Sequence, residues 1–409
     1  MSLQWLLVDL NSYFASVEQQ LRPELRGRPV GVVPMLADTT CCIAASYEAK
    51  AHGVKTGTMV YEAKKMCPGI VFVEARHEEY VEYHQRIVEA VESCLPVSVV
   101  LSIDEMACRL RGSDRELENA MRIANEIKRK IRADVGEMLT SSVGIGPNRF
   151  LAKIASDMQK PDGLIVIHKE DLPHKLHALK LRDFPGIGRR MQARLEKCAV
   201  WTSEQLCALP MAEMRQIWGG IPGEYFWHWL RGHEGNEPGD EPKNRTIGHS
   251  HVMPPDLRNE EGAWAVAQKL LAKAAVRLRK GNWWASGLSV GVRYAELDGE
   301  YLPGWHTWTH LIECQDTLTL NEALQKLWSR KPPGGKPMQV HITLLNLIPE
   351  ELHCLSLFQE FERREKLSQA MDTINSKYGR DTVYFAGVHA VKAAAPTRIA
   401  FQHIPDLET

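Results

Sequence analysis

The chain has 409 residues, 44% hydrophobic and 25% charged, with a formal net charge of −1. That length allows several domains, and that composition describes an ordinary soluble protein. No secretory leader and no membrane-spanning apolar run can be read. Nine scattered cysteines, without a CxxC or a Cys/His cluster, point to a reducing cytoplasm rather than to disulfides or zinc. The balanced charge gives no global signal for nucleic acid, so a DNA-binding role requires local basic surfaces.

Trp5-Leu6-Leu7-Val8 predicts a short buried strand ending at Asp9, after which Leu10 to Glu18 turns into helix. Tyr80, Tyr83, Ile87, Val88 and Val91 recur at helical spacing within 78–94. A strand over 97–103 then runs through Leu101-Ser102-Ile103 into Asp104-Glu105, and Met106 to Leu110 continues beyond the acids. Leu117, Met121, Ala124, Ile127 and Ile131 give a second amphipathic helix, and Ser141 to Gly146 a strand ending in glycines. Two helices behind one antiparallel sheet predict a ferredoxin-like arrangement.

Adjacent ionised carboxylates are costly to bury unless something positive sits on them. Taken alone, Asp104-Glu105 also suits a solvated turn. Asp9 changes that reading. If the first strand lies beside the hairpin carrying Asp104, three carboxylates meet at one sheet edge. They form a donor set for two magnesium ions, which hold the attacking and leaving oxygens of an in-line phosphoryl displacement. Asp9 and Asp104 would bridge the ions, and Glu105 would bind the one that activates the nucleophile.

The segments VDLNSYFASVE (8–18) and LSIDE (101–105) resemble the two metal-binding motifs of the Y-family DNA polymerases, the lesion-bypass group that includes DinB and UmuC. The resemblance implies an α+β multidomain fold. Its parts are a ferredoxin-like palm (1–10 and 77–168), fingers (11–76), a helix-hairpin-helix thumb (169–238), a linker (239–242), a βαββαβ little finger (243–350) and a tail (351–409). It implies low-fidelity DNA-templated synthesis in translesion bypass and repair, with magnesium as the metal and manganese as a substitute. The Leu10 backbone carbonyl joins the metal ligands. Phe14 matches the sugar gate, whose ring packs where a ribose 2′-hydroxyl would project. Tyr47 and Lys50 match the fingers motif that holds the incoming triphosphate. Many relatives carry arginine at the Lys50 position, and lysine lacks its bidentate fork. Cys41, Ile43 and Gly57 match positions that roof the templating base pair. Lys160, before Pro161-Asp162-Gly163, matches the lysine that reaches the triphosphate across from the metals.

Phe184-Pro185-Gly186-Ile187-Gly188 and the helix after it resemble a helix-hairpin-helix. Gly186 and Gly188 let backbone N–H groups approach a phosphate, with Arg189 and Arg190 at the helix start. Residues 180–197 hold six Lys/Arg against two Asp/Glu, a local basic patch that would position duplex DNA without reading its sequence. Gly232 to Pro242 reads as the linker closing the thumb.

Residues 243–350 read strand, helix, two strands, helix, strand, with tryptophans assigned to the core rather than to base stacking. They carry 13 Lys/Arg against 10 Asp/Glu, a slight basic bias. In the tail, Cys354, Leu355, Leu357 and Phe358 resemble the Gln-Leu-x-Leu-Phe peptides that dock on the bacterial sliding clamp, with Cys354 where glutamine is usual. A charged helix over 360–376 follows. Met371 to Asn375 and Tyr384 to Gly387 resemble the end of UmuC. Expected partners are primer-template DNA, dNTP, the sliding clamp and UmuD-like or recombinase proteins, with no membrane. Two other readings remain: a non-catalytic clamp-binding accessory protein, and a cyclic-nucleotide synthase. The second also uses a palm with paired acids, but the helix-hairpin-helix and little finger argue against it.

Overall fold

A computed structural model describes residues 3–234, 246–295, 302–353, 359–392, 394, 399 and 404. They divide into two compact units, Met1–Asp240 with Ile399–Leu407, and Glu241–Arg398 with Glu408–Thr409.

The first unit begins with β1 (Trp5–Leu10), buried from Leu6 onward, and α1 (Tyr13–Leu21). Next come β2 (Val30–Val33), β3 (Ala44–Ala45), α2 (Tyr47–Ala51), α3 (Val60–Met66) and β4 (Val71–Glu74). These form a small lobe on a three-stranded sheet of order β3-β2-β4. The chain continues through α4 (His77–Glu92), β5 (Val97–Val100), β6 (Glu105–Arg109), α5 (Leu117–Lys130), β7 (Ser141–Gly146), α6 (Arg149–Met158) and β8 (Leu164–Val166). A five-stranded sheet of order β5-β6-β1-β7-β8 results, with β1 antiparallel to both of its neighbours.

Helices α4 and α5 cover one face of this sheet, burying Tyr80, Ile87, Ile123 and Ile127 against Leu6, Val8, Met106 and Val143. The other face packs through small groups, with Leu7, Ala107 and Ala152 in one cluster.

Three expectations need correction. The sheet is mixed, because β8 pairs with β7 in parallel. Parallel neighbours require a crossover, and α6 supplies it. The strand expected over 97–103 stops at Val100. The N–H groups of Leu101 and Ser102 both donate to the Glu105 carbonyl, at 2.9 and 3.2 Å, so 101–104 is a hairpin turn. On α5 the buried stripe is Ala120, Ile123, Ala124 and Ile127, while Leu117 and Met121 are exposed. The alanines allow closer approach to the sheet than the larger residues on the neighbouring ridge.

The first unit ends in α7 (Arg189–Lys197), α8 (Ser203–Ala208), α9 (Met211–Trp218) and α10 (Ile221–Leu230), around Leu176, Phe184, Leu195 and Phe226. Residues 239–242, the expected linker, lie outside the described residues.

The second unit runs β9 (Thr246–Val252), α11 (Glu260–Lys280), β10 (Trp283–Tyr294), β11 (Trp305–Cys314), α12 (Thr317–Trp328) and β12 (Pro337–Pro349). Its strands pair antiparallel in the order β11-β10-β12-β9, giving the expected βαββαβ succession. Asn259 and Asp316 cap the two helices, accepting from the N–H groups of Gly262 and Thr319. Trp264, Trp283, Trp305 and Trp328 pack against the core, whereas Trp308 is 52% exposed. A further helix, α13 (Gln359–Tyr378), belongs to the same unit, tied down by Arg279 on Asp372 at 2.6 Å. Val388 and Val391 are buried in that core as well. Cys354, Leu355, Leu357 and Phe358 lie outside the described residues. Among the described residues no helix is long and apolar enough to cross a membrane.

Candidate active site

The antiparallel register of β1 and β6 places Asp9 directly opposite Glu105. Asp104 stands one residue back, in the turn, and its carbonyl accepts the Leu10 N–H at 2.9 Å. His84, from α4, holds the same turn through its ring nitrogen, 2.8 Å from the Ile103 carbonyl. Backbone pairing thus brings Asp9, Leu10, Asp104 and Glu105 together at one end of the central strand.

Burial pushes the Asp104 carboxyl above its usual range, and the charge of Asp9 adds to this. The Ser102 hydroxyl, donating to Asp104 at 2.6 Å, opposes it. Burial likewise raises Glu105, against the pull of Lys153.

Two lysines serve this cluster. The Lys153 ammonium lies 2.5 Å from Asp9, 2.9 Å from Glu105 and 3.1 Å from Asp157. Lys160 lies 2.7 Å from Asp9 and 2.8 Å from Asp157. Burial pulls both lysines down, but their acidic neighbours prevail and hold both above the ordinary value.

Among the described residues no three His, Cys, Asp or Glu side chains converge, as they stand, on a point that could hold a metal ion. Asp9 and Glu105 are turned to Lys153, and Asp104 to Ser102. The donor set nevertheless suits a hard divalent cation, since backbone pairing gathers three carboxylate residues at this strand end and two of them already share a positive charge. Sequence reasoning singled out neither Lys153 nor Asp157. The available signal was the spacing Lys153, Asp157, Lys160, which is that of one helical face.

The small lobe contributes Tyr47 and Lys50, both on α2. Lys50 donates to the Ser12 hydroxyl at 2.7 Å and lies 4.4 Å from the centre of the Tyr47 ring. Burial lowers Lys50, and the charge of Lys160 lowers it further. Burial raises Tyr47, against Lys160. The three residues expected on a triphosphate therefore stand close enough to feel one another. Ser12, with φ of 48°, turns the chain sharply from β1 into α1. It is a third residue, after Lys153 and Asp157, that sequence reasoning passed over.

Phe14 stacks on Tyr80 with ring centres 4.5 Å apart and an interplanar angle of 19°. Tyr80 in turn donates to Glu18 at 2.8 Å, and Arg76 grips the same carboxylate with two N–H groups at 2.7 and 3.1 Å. Cys41 and Ile43 lie beside Gly57 on paired backbone: Cys41 bridges to Met59, the Gly57 N–H donates to the Cys42 carbonyl at 2.8 Å, and Thr56 donates to the Ile43 carbonyl at 3.3 Å. Gly57 has φ of +89°, a conformation that favours glycine. Further along, Phe184 and Ile187 anchor a turn in which Gly186 has φ of +86° and Gly188 starts α7. Gly186, Gly188, Arg189 and Arg190 are all exposed there.

Residues 8–157 match the model of the impB/mucB/samB family, residues 244–357 that of its C-terminal domain, and residues 169–197 that of the IMS family HHH motif. The DNA polymerase IV of Moorella thermoacetica is 35% identical over 387 residues, 93% of this chain and 95% of that protein. The chain belongs to the Y-family DNA polymerases. A second relative, the DNA polymerase IV of Pelotomaculum thermopropionicum, is 32% identical over 92% of this chain and 93% of its own length. Neither relative carries a UmuC name, and the leaning of the tail toward that branch has no support here. Among solved structures, a Y-family chimera of Dbh and Dpo4 superposes with a TM-score of 0.69 at 24% identity, covering 85% of this chain and 99% of that one. The insertion ternary complex of Dbh DNA polymerase has a TM-score of 0.56 at 25% identity, with the same 85% and 99% coverage. The α+β multidomain Y-family fold is thus the fold of this chain.

Proposed function

We propose that this chain is a low-fidelity DNA-directed DNA polymerase of translesion synthesis and DNA repair, with Asp9, Asp104 and Glu105 as its catalytic carboxylates. The observation that carries the reading is the β1–β6 register, which sets Asp9 opposite Glu105 with Asp104 beside them. The five-stranded sheet then serves as palm (1–10 and 77–168), the small lobe as fingers (11–76), the helical region as thumb (169–238) and the βαββαβ unit as little finger (243–350). Asp9, Asp104, Glu105 and the Leu10 carbonyl would hold two magnesium ions, or manganese in their place, which would supply Lewis acidity at the primer hydroxyl and the triphosphate.

The remaining work falls to the protein. Lys50, Lys160 and the Tyr47 hydroxyl take triphosphate oxygens through charge-assisted hydrogen bonds. Phe14, braced by Tyr80, fills the space of a 2′-hydroxyl. Cys41, Ile43 and Gly57 present little bulk to the nascent pair, and few discriminating contacts mean tolerance of a misfit template. Gly186 and Gly188 offer N–H groups, and Arg189 and Arg190 charge, to phosphates of the duplex. Cys354, Leu355, Leu357 and Phe358 dock the chain on a sliding clamp, and the setting is the cytoplasm.

Primer extension by the Asp104→Ala variant tests the assignment. Loss of one metal-holding carboxylate should slow extension roughly a thousandfold or more while primer-template binding persists. Equal extension by variant and parent would overturn it.

A further inference from the structure

Lys153 reaches the carboxylates because α6 lies unusually close to the sheet. A Cβ on Gly144 would stand 2.0 Å from the Ala152 carbonyl oxygen and 2.3 Å from the Ser156 nitrogen, so this approach requires glycine. Ala152 is buried with Leu7 and Ala107, which fixes the helix turn that carries Lys153. The Lys153 side chain is 19% exposed, and its ammonium touches oxygens of Asp9 and Glu105, two of the three proposed metal ligands. A divalent ion and an ammonium cannot both hold those oxygens at bonding distance. An ion that draws on these two oxygens must therefore displace Lys153 from them. A fourth carboxylate, Asp157, lies 3.1 Å from the same ammonium and one helical turn farther along.

We infer that Lys153 is the resident counter-cation of the catalytic carboxylates, competing with a divalent ion for Asp9 and Glu105, and that Asp157 is the carboxylate onto which it withdraws. This rests on the polymerase reading and deepens it. Lys153 is a positioning residue. Without a positive charge among them, buried carboxylates repel one another. With Lys153 in place they stay together, at the cost of weaker ion binding. An arriving triphosphate brings its own negative charge and tips the balance toward the ion. Ion loading is thereby coupled to nucleotide binding.

The test is Mn2+ binding to the full chain, followed by electron paramagnetic resonance without nucleotide or DNA. Lys153→Met should bind Mn2+ about tenfold more tightly, the factor that corresponds to about 1.4 kcal/mol of lost competition. In chelator the same variant should melt at a lower temperature than the parent, and Mn2+ should restore it. Asp157→Asn should bind Mn2+ more weakly, because the ammonium has lost its second anchor. That weakening should shrink in the Lys153→Met background, where the Lys153 ammonium is gone and only that of Lys160 still bridges Asp9 and Asp157. Lys153→Gln repeats the comparison should the methionine variant fail to fold. Unchanged or weaker Mn2+ binding by folded Lys153 variants would overturn the inference. So would an Asp157→Asn effect of equal size in both backgrounds, which is plain long-range electrostatics. Mn2+ binding by the parent that survives Asp9→Asn would instead count against the carboxylate assignment itself.

Discussion

The Glu18→Ala substitution probes the support beneath Phe14. Glu18 is 0% exposed, and its carboxylate accepts from Arg76 at 2.7 and 3.1 Å and from the Tyr80 hydroxyl at 2.8 Å. Alanine would leave a guanidinium without its two-pronged partner and a hydroxyl, on a fully buried ring, without an acceptor. Removing one member of a buried pair costs about 3–5 kcal/mol. Arg76 is 32% exposed and can turn toward water, so the lower end, about 3 kcal/mol, is expected. Urea unfolding followed by circular dichroism should show this loss in the transition of the first unit, with that of the second unit unmoved. The looser Tyr80 should also admit more ribonucleotide, because Phe14 stacks directly on it. Glu18→Ala and Arg76→Ala effects that sum to that of the double variant within about 0.3–0.5 kcal/mol would refute the coupling. Unchanged sugar preference in the destabilised variant would show that Tyr80 does not brace Phe14.

Phe14→Ala should raise ribonucleotide incorporation far more than it alters deoxynucleotide use, as read by competing the two substrates on one template. Gly144→Ala should destabilise the first unit by about 1–3 kcal/mol, because the atoms its methyl would meet are backbone and cannot step aside; urea titration measures this. Replacing Arg189 and Arg190 with alanine should weaken duplex binding equally for all sequences. It should flatten the salt dependence by about 0.9 logarithmic units for each phosphate no longer neutralised, as fluorescence anisotropy would show. Burial holds His84 below its ordinary value of 6.5, so it stays neutral in the fold while the unfolded chain gains a proton first. Its contribution to stability is complete above that value and declines as pH falls below it. Melting temperature in chelator should drop with acidification, and less steeply for His84→Asn.

What the sequence made legible follows from how local each signal is. Asp9, Asp104 and Glu105 announce themselves as carboxylates at the ends of apolar runs, and the βαββαβ succession is a matter of counting periodic segments. Their facing register is not local, because it depends on hydrogen bonds between strands about a hundred residues apart. The stripe on α5 starts, by periodicity, from Leu117 and Met121 because large apolar residues dominate any period, yet close packing buries Ala120 and Ile123 beside Ala124 and Ile127 and leaves those two exposed. β8 spans three residues, too few to show a period, and pairs only because α6 returns the chain in the same direction. Nothing local marks Lys153, since Asp9 and Glu105 reach it only through tertiary structure.

The position of β1 has a consequence for how the molecule fails. A strand paired on both sides and covered on both faces opens only when the surrounding sheet opens, so its amide hydrogens should be among the slowest of the first unit to exchange with solvent. The small lobe is built on shorter pairings, β3 contributing two residues, and its local opening should cost far less. On gentle heating, affinity for nucleotide should therefore fade while the carboxylate end of β1 still stands, leaving a chemically intact centre with nothing to hold its substrate.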